Sequence, residues 1–316
     1  MDIRYGRKKS GIKRELNKKI EDWLESIDNN EVKKAAAKDT IVTGGSIASM
    51  LLGEQVNDFD VYFRTKNTAK LVADYYINKF QEKKKIEVGN DVMEVQMYTR
   101  EFTSINAKGF EEERLAIYIK SAGVASADMG VYQYFESKSE NEMKDFSETL
   151  YQDVADDDKG DKYRVVFMSD NAVTLSHKVQ IIIRFFGEPD KIHDNFDFIH
   201  AMNYYDYGKD ELVLKLEALE AMMSRTLIYK GSLYPIASIF RTKKFIERGW
   251  RISAGQLLKI MWQINELDLS NMNVIREQLT GVDMAYLYQV IESLNDVDPE
   301  KINSVYVSEI IDRIFD

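Results

Sequence analysis

The sequence predicts an α+β fold, with a mixed sheet and helices in the N-terminal part and an all-helical domain at the C-terminus. Two observations predict it. As far as Tyr205, β-branched or alternating runs are interleaved with amphipathic helical patterns. From Asp210 onward helical periodicities dominate, through Leu212, Leu214, Leu216 and Leu219 and then Ile236, Ile239 and Phe240, and strand signals nearly vanish. The expected organisation is a basic N-terminal helix over 1–30, a head over 31–209 with an insertion near 100–162, and a helical domain over 210–316.

The elements follow in chain order. Ile12 to Ile27, with Leu16, Ile20 and Leu24 at helical spacing, reads as an amphipathic helix. Its leading edge is basic (Arg4, Arg7, Lys8, Lys9, Lys13, Arg14, Lys18 and Lys19). That edge is either a solvated face or a contact for a nucleic-acid backbone. Thr40–Thr43 is a short buried strand, and Ile47–Leu52 is a helical run closed by Gly53. Asp58–Phe63 alternates as a strand, and Asn67 can cap a helix through Phe80. Further strands are expected at Val92–Tyr98, Leu115–Ile119, Tyr163–Met168 and Lys178–Phe185. A short helix is expected over Glu188–Asn195 and another strand over Phe196–Tyr205. The aspartate-rich stretch Asp153–Asp161 lacks the ligand spacing and terminal Glu of an EF-hand and reads as a solvated loop.

Bulk properties narrow the function classes. The chain has 316 residues, is 44% hydrophobic and carries a formal net charge of −10. An acidic balance argues against indiscriminate coating of nucleic acid, while leaving room for a local basic track. With no cysteine, disulfides, thiolate metal sites and cysteine nucleophiles are all excluded. No signal-peptide core and no apolar run of about 18 residues occurs, so the expectation is a soluble, cytoplasmic protein without membrane contact. Only His177, His193 and His200 are present, so a histidine-rich metal site is not expected, and His200 reads as a core residue.

The chemistry concentrates between residues 44 and 60. Gly44 and Gly45 at the mouth of a helix let backbone approach phosphate oxygens, with the first N–H groups aimed at the anion and Ser46 adding a hydroxyl. Asp58 and Asp60, two apart on a strand, emerge on one face. Paired carboxylates repel and are stable as anions mainly beside a cation, and oxygen ligands suit Mg²⁺ or Mn²⁺. Either signal alone is common; the two within about twenty residues form a specific pattern.

The run Ile41-Val42-Thr43-Gly44-Gly45-Ser46 through Gly53, followed by Asp58-Phe59-Asp60, resembles the head motif of the DNA polymerase β nucleotidyltransferase superfamily. It is most similar to the branch holding tRNA CCA-adding enzymes and poly(A) polymerases. That branch carries Arg-Asp where this chain has Ala48-Ser49. The resemblance implies a third carboxylate on a neighbouring strand, for which Asp197 in Phe196-Asp197-Phe198 is preferred and Glu94 is the rival. Nucleotidyltransferase-like proteins of tailed bacteriophages have a run similar to Lys178–Arg184 with this Phe-Asp-Phe block.

Tyr234-Pro235-Ile236 and the following Arg241–Ile252 resemble the neck helix of the same branch. Arg241, Lys244 and Arg248 share one helix face and Trp250 could stack on a base; the plainer reading is a charged helix closed by Gly249.

The family then implies a polymerase-β-like head and a metal-dependent nucleotidyltransferase. Asp58 and Asp60 would bind two Mg²⁺ (or Mn²⁺) ions, with Asp197 helping to activate the acceptor hydroxyl. Gly44, Gly45 and Ser46 would hold the β- and γ-phosphates of an NTP, and Arg241, Lys244 and Arg248 the triphosphate or primer. The first choice of acceptor is an RNA 3′ end, with a protein side chain or small molecule as the others. The alternative is a catalytically weak fold kept as a binding module, in a phage particle or as an inhibitor of a host enzyme. A phage-encoded chain would work in the host cytoplasm.

Overall fold

The computed structural model describes residues 6–87, 96–105, 111–120 and 162–269, with single positions at 271, 274, 275, 278 and 309. Glu94, the aspartate-rich stretch 153–161, most of the expected insertion and the apolar stripe of Leu287, Val290, Ile291 and Leu294 lie outside the described residues. The chain divides into two units: residues 1–194 with 201–218, and residues 195–200 with 219–316.

The first unit begins with α1 (Lys9–Glu25), which buries Ile12, Leu16, Ile20, Trp23 and Leu24 along one stripe. Then comes α2 (Asn30–Asp39), capped by the Asn29 side chain, which accepts from the N–H groups of Glu31 and Val32. The order continues with β1 (Thr40–Thr43), α3 (Gly45–Leu52), β2 (Phe59–Phe63), α4 (Lys66–Glu87), β3 (Gln96–Ile105) and β4 (Glu111–Lys120). After the undescribed segment come β5 (Val165–Met168), β6 (Ala172–Leu175), β7 (Val179–Phe186), α5 (Pro189–His193), β8 (Tyr204–Asp206) and β9 (Glu211–Val213). Seven strands form one mixed sheet in the order β5-β6-β7-β2-β1-β8-β9, while β3 and β4 form a separate ribbon. The only parallel neighbours in the sheet are β2 and β7.

One face of the sheet is the core. Val42, Val61, Val173, Val179, Ile181 and Ile183 pack there with Leu16, Trp23, Val72 and Tyr76 from the helices. The indole N–H of Trp23 donates to the Tyr76 hydroxyl at 2.8 Å, so the one polar atom of that buried ring is satisfied. The other face is set by the period of two: along β7, Gln180, Ile182 and Arg184 alternate with the buried residues and stay partly exposed.

In the second unit β10 (Thr226–Leu227) pairs with β11 (Arg251–Ile252) beside α7 (Pro235–Glu247) and α8 (Ala254–Asn265), and α6 (Leu216–Met223) crosses from one unit to the other. Its core is aromatic: the His200 ring lies 4.5 Å from both Phe245 and Trp250 and stacks on Phe198 at 6.0 Å.

Two expectations need correction. The strand expected over Phe196–Tyr205 is confined to Tyr204–Asp206, and Ile199–Ala201 form a 3₁₀ turn. The reason is where the backbone hydrogen bonds go: Lys230 donates to the Asp197 carbonyl and Ile199 donates to that of Ile228, so this segment pairs locally within the second unit. Trp250 is 4% exposed inside the aromatic cluster, which leaves no open face for a base. His200 is the buried core residue expected, at 2% exposure.

Among the described residues, no helix is long and apolar enough to cross a membrane.

Candidate nucleotide and metal site

The centre of the site is the joint between β1 and α3. Gly44 adopts φ 103° and ψ −154°, a conformation open to glycine and strained for any other residue. Its N–H donates to the Ala201 carbonyl at 3.1 Å, which fixes the turn against the chain entering β8. Gly45 opens the helix, and an added Cβ there would meet nothing within 4 Å, so the first turn faces open space. The first N–H groups of a helix have no intrahelical acceptor and form an anion site. Ser46 is 2% exposed and its Oγ is buried without a hydrogen-bond partner. An orphaned buried hydroxyl at this point fits a ligand that brings an acceptor to it.

The carboxylates come next. Asp58 is exposed at the entry to β2, and Asp60 is half-buried within the strand. A Cβ on Gly44 would lie 2.5 Å from Oδ2 of Asp60, so the carboxylate stands directly against the glycine turn. The strand entry is held from β7: Phe59 N–H donates to the Lys178 carbonyl at 2.7 Å, and Lys178 Nζ donates to the Val56 carbonyl at 3.2 Å. The glycine turn, the orphaned Ser46 hydroxyl and the acidic oxygens have a chemistry that would suit a metal-bound nucleotide, for which Asp58 and Asp60 would be the candidate cation ligands.

A chain of hydrogen bonds, buried at Thr43 and His193 and reaching the surface at Asp190, braces this joint from behind. Thr43, the residue before Gly44, donates through Oγ1 to the Asn203 carbonyl at 2.8 Å and lies 2.8 Å from Nε2 of His193. Lys215 Nζ donates to the other ring nitrogen, Nδ1, at 3.2 Å and to Asp190 at 2.6 Å. Because Lys215 can only donate, Nδ1 is the acceptor and Nε2 carries the proton donated to Thr43. Neither His193 nor Lys215 carries a sequence signal that places it at this joint, beyond the rarity of histidine in the chain.

Ala48 and Ser49, standing where the resembling branch has Arg-Asp, are 4% and 9% exposed. A charged pair would have to be buried there, so this part of α3 serves packing.

The other expected site residues, Asp197, Arg241, Lys244 and Arg248, lie in the second unit. Asp197 precedes the 3₁₀ turn and its Oδ2 accepts from Nη1 of Arg241 at 2.6 Å. Two expected site residues thus hold each other. Lys244 is exposed, and Arg248 caps α7 with its guanidinium 5.4 Å from the Phe245 ring centroid. Of the N-terminal basic residues, Arg7 pairs with Glu15, Lys13 pairs with Asp210 at 2.8 Å, and Lys19 donates to the His177 carbonyl.

The mixed sheet, the glycine turn feeding a helix and the acidic strand beside it define an α+β protein with a glycine turn set against a carboxylate. The sequence profile of the family described as Gabija anti-defense 2 family protein matches residues 14–225, more than half of the chain. The chain belongs to that family. A Bacillus phage SPbetaL7 protein named Gabija anti-defense 2 is 24% identical over 141 residues, covering 44% of this chain and 34% of that relative. The chain therefore matches about a third of that relative's length.

Solved structures of CCA-adding enzymes are also similar. The Thermotoga maritima enzyme complexed with tRNA is 11% identical, with a TM-score of 0.34 over 88% of this chain and 54% of that one. An apo form is 12% identical, with a TM-score of 0.37 over 88% and 51% of the two chains. A complex with CTP is 12% identical, with a TM-score of 0.30 over 93% and 54%.

Proposed function

We propose that this chain is a counter-defence protein that acts in the host cytoplasm through a nucleotide: it transfers a nucleotidyl group from an NTP onto a component of the host defence. The observation that carries the nucleotide is the contact between Gly44 and Asp60. A position whose φ of 103° favours glycine, with a carboxylate standing where a side chain would be, suits a phosphate cradle beside a metal ligand. Family membership supplies the purpose, since its members are described as countering a defence named Gabija.

In this reading Gly45 and Ser46 orient the β- and γ-phosphates, and Asp58 and Asp60 face the α-phosphate. An acceptor hydroxyl releases its proton to solvent as its oxygen bonds to the α-phosphorus, the bond to the bridging oxygen breaks and pyrophosphate leaves. Bound Mg²⁺ or Mn²⁺ would supply the positive charge that lowers the barrier to this displacement.

A protein acceptor is favoured over an RNA 3′ end by the charges. The chain is acidic overall, with a formal net charge of −10. Arg7, Lys13, Lys19 and Arg241 each already hold an internal acceptor. The net negative charge and the internal engagement of these four cations weaken the attraction for a polyanion.

A second reading keeps the nucleotide site but drops transfer, leaving a nucleotide-loaded module that inhibits by binding. It is favoured by Arg241 holding Asp197, the acid expected to activate the acceptor.

Incubating the protein with α-labelled NTPs, Mg²⁺ or Mn²⁺, and either the purified host defence proteins or total RNA separates these readings. The proposal expects label on a defence protein, lost in Asp58→Asn and Asp60→Asn. Label on RNA would keep the transferase and replace the acceptor. Counter-defence in cells that survives both substitutions, with no label transferred, would leave only the binding module.

A further inference from the structure

The register of the sheet says what surrounds Asp60. On one side β1 runs antiparallel to β2, and the pairing of Val42 with Val61 sets Thr43 opposite Asp60. On the other side β7 runs parallel, and Gln180 is the residue paired with Asp60. Across β7, Gln180 pairs with Thr174 of β6. Paired residues on adjacent strands project to the same face, so Thr43, Asp60, Gln180 and Thr174 form one row across four strands. Asp60 and Gln180 are both half-buried on the face turned away from the apolar core. In this row Asp60 is the single acidic member.

Two divalent ions about 3.5–4 Å apart need carboxylates on both flanks, because each ion requires anionic oxygen ligands and the two repel. Among the described residues, the carboxylates at this strand are Asp58 and Asp60, whose two charges balance one divalent ion. The strand positions from which another carboxylate could reach the same place hold Thr43 and Gln180. The Thr43 hydroxyl is spent on Asn203 and His193. Gln180 carries a neutral amide, which supplies one weak oxygen ligand and no charge. Consistently, no group of three or more His, Cys, Asp or Glu among the described residues is placed to hold a metal.

We infer that Gln180 makes this a one-ion site: Asp58 and Asp60 hold a single divalent cation with the nucleotide, and the neutral amide in register with Asp60 withholds a second. The inference rests on the nucleotide site proposed above and deepens it. Gln180 acts here as a determinant of metal stoichiometry, and the residue that would create a second site is one methylene-neutral exchange away, since Gln180→Glu keeps the side-chain volume and adds a charge.

The test counts Mn²⁺ rather than turnover. The full-length protein is saturated with a non-hydrolysable ATP analogue and titrated with Mn²⁺. Bound ions are counted by equilibrium dialysis and their mutual coupling read by electron paramagnetic resonance. The wild type is expected to hold one Mn²⁺ per chain with an uncoupled spectrum. Gln180→Glu is expected to hold two, with exchange-broadened lines. Two coupled ions in the wild type would overturn the inference while leaving the nucleotide site standing. A folded Gln180→Glu that still holds one would overturn the role of Gln180. No Mn²⁺ in either protein, with the analogue unbound, would overturn both this inference and the proposed function. Should Gln180→Glu fail to fold, the wild-type count decides alone.

Discussion

Oδ2 of Asp60 stands where a side chain on Gly44 would have to go, 2.5 Å from an ideal Cβ. The turn that opens α3 and the acid that faces it therefore specify each other. Gly44→Ala adds a clash with that carboxylate to the strain of φ 103°. The strain alone costs about 1–3 kcal/mol. The expected outcome is a lowered melting temperature and a displaced Asp60, read as weakened metal-dependent nucleotide binding. Gly45→Ala, with open space before it, should fold normally and affect only the ligand.

The brace behind the turn makes a second prediction. His193 is 1% exposed and links Lys215 to Thr43. His193→Ala leaves the Thr43 hydroxyl and the Lys215 ammonium without this partner. Losing partners of buried polar groups costs about 1–3 kcal/mol. Chemical denaturation should show a lower midpoint with an unchanged slope, and nucleotide affinity should fall because Thr43 precedes the cradle. His193→Gln, which can both donate and accept, should recover part of each loss.

A third prediction concerns pH. Burial pushes the carboxyl of Asp170 up from its ordinary value, and the nearby charge of Arg184 only partly opposes this. A carboxyl with a raised pKa binds its proton more tightly in the folded state. Its contribution to stability is therefore present at low pH and lost as pH rises through the folded-state value. Asp170→Asn removes the buried charge and keeps a similar shape. The melting temperature of Asp170→Asn relative to wild type should rise more at pH 8 than at pH 4. An identical difference at both pH values would show that the carboxyl does not titrate with folding.

The pair of Asp197 and Arg241 can be separated from catalysis by a double-mutant cycle. The two are 13% and 39% exposed and 2.6 Å apart. Such a partly exposed pair is worth up to about 1 kcal/mol. Arg241→Ala and Asp197→Asn should then show a coupling of about that size in stability, with nucleotide affinity little changed. A loss of affinity in Arg241→Ala that Asp197→Asn does not share would return Arg241 to the triphosphate.

The elements around the site were legible because their signals are local. Gly44-Gly45 and Gly53 punctuate α3 at both ends, and the buried Phe59 and Val61 flank the half-buried Asp60. What was not legible depends on pairing at a distance. β6 is four residues, Ala172–Leu175, with no pattern of its own; its evidence is its ladder with β7. Asp197 looked like a strand acid because Phe196 and Phe198 flank it, yet the backbone there pairs with Ile228 and Lys230, which sequence spacing does not reveal. Gln180 passed unnoticed for the opposite reason: a neutral residue in a β-branched run attracts no attention until the register sets it beside Asp60.

The most direct test of the account is calorimetric titration of non-hydrolysable analogues of the four NTPs into wild type and Asp60→Asn, each with Mg²⁺ and with EDTA. The account predicts that at least one analogue binds wild type in Mg²⁺, and that EDTA or Asp60→Asn weakens it by about 100-fold or more while the fold is retained. Equal binding of the nucleotide in EDTA and by Asp60→Asn would contradict it.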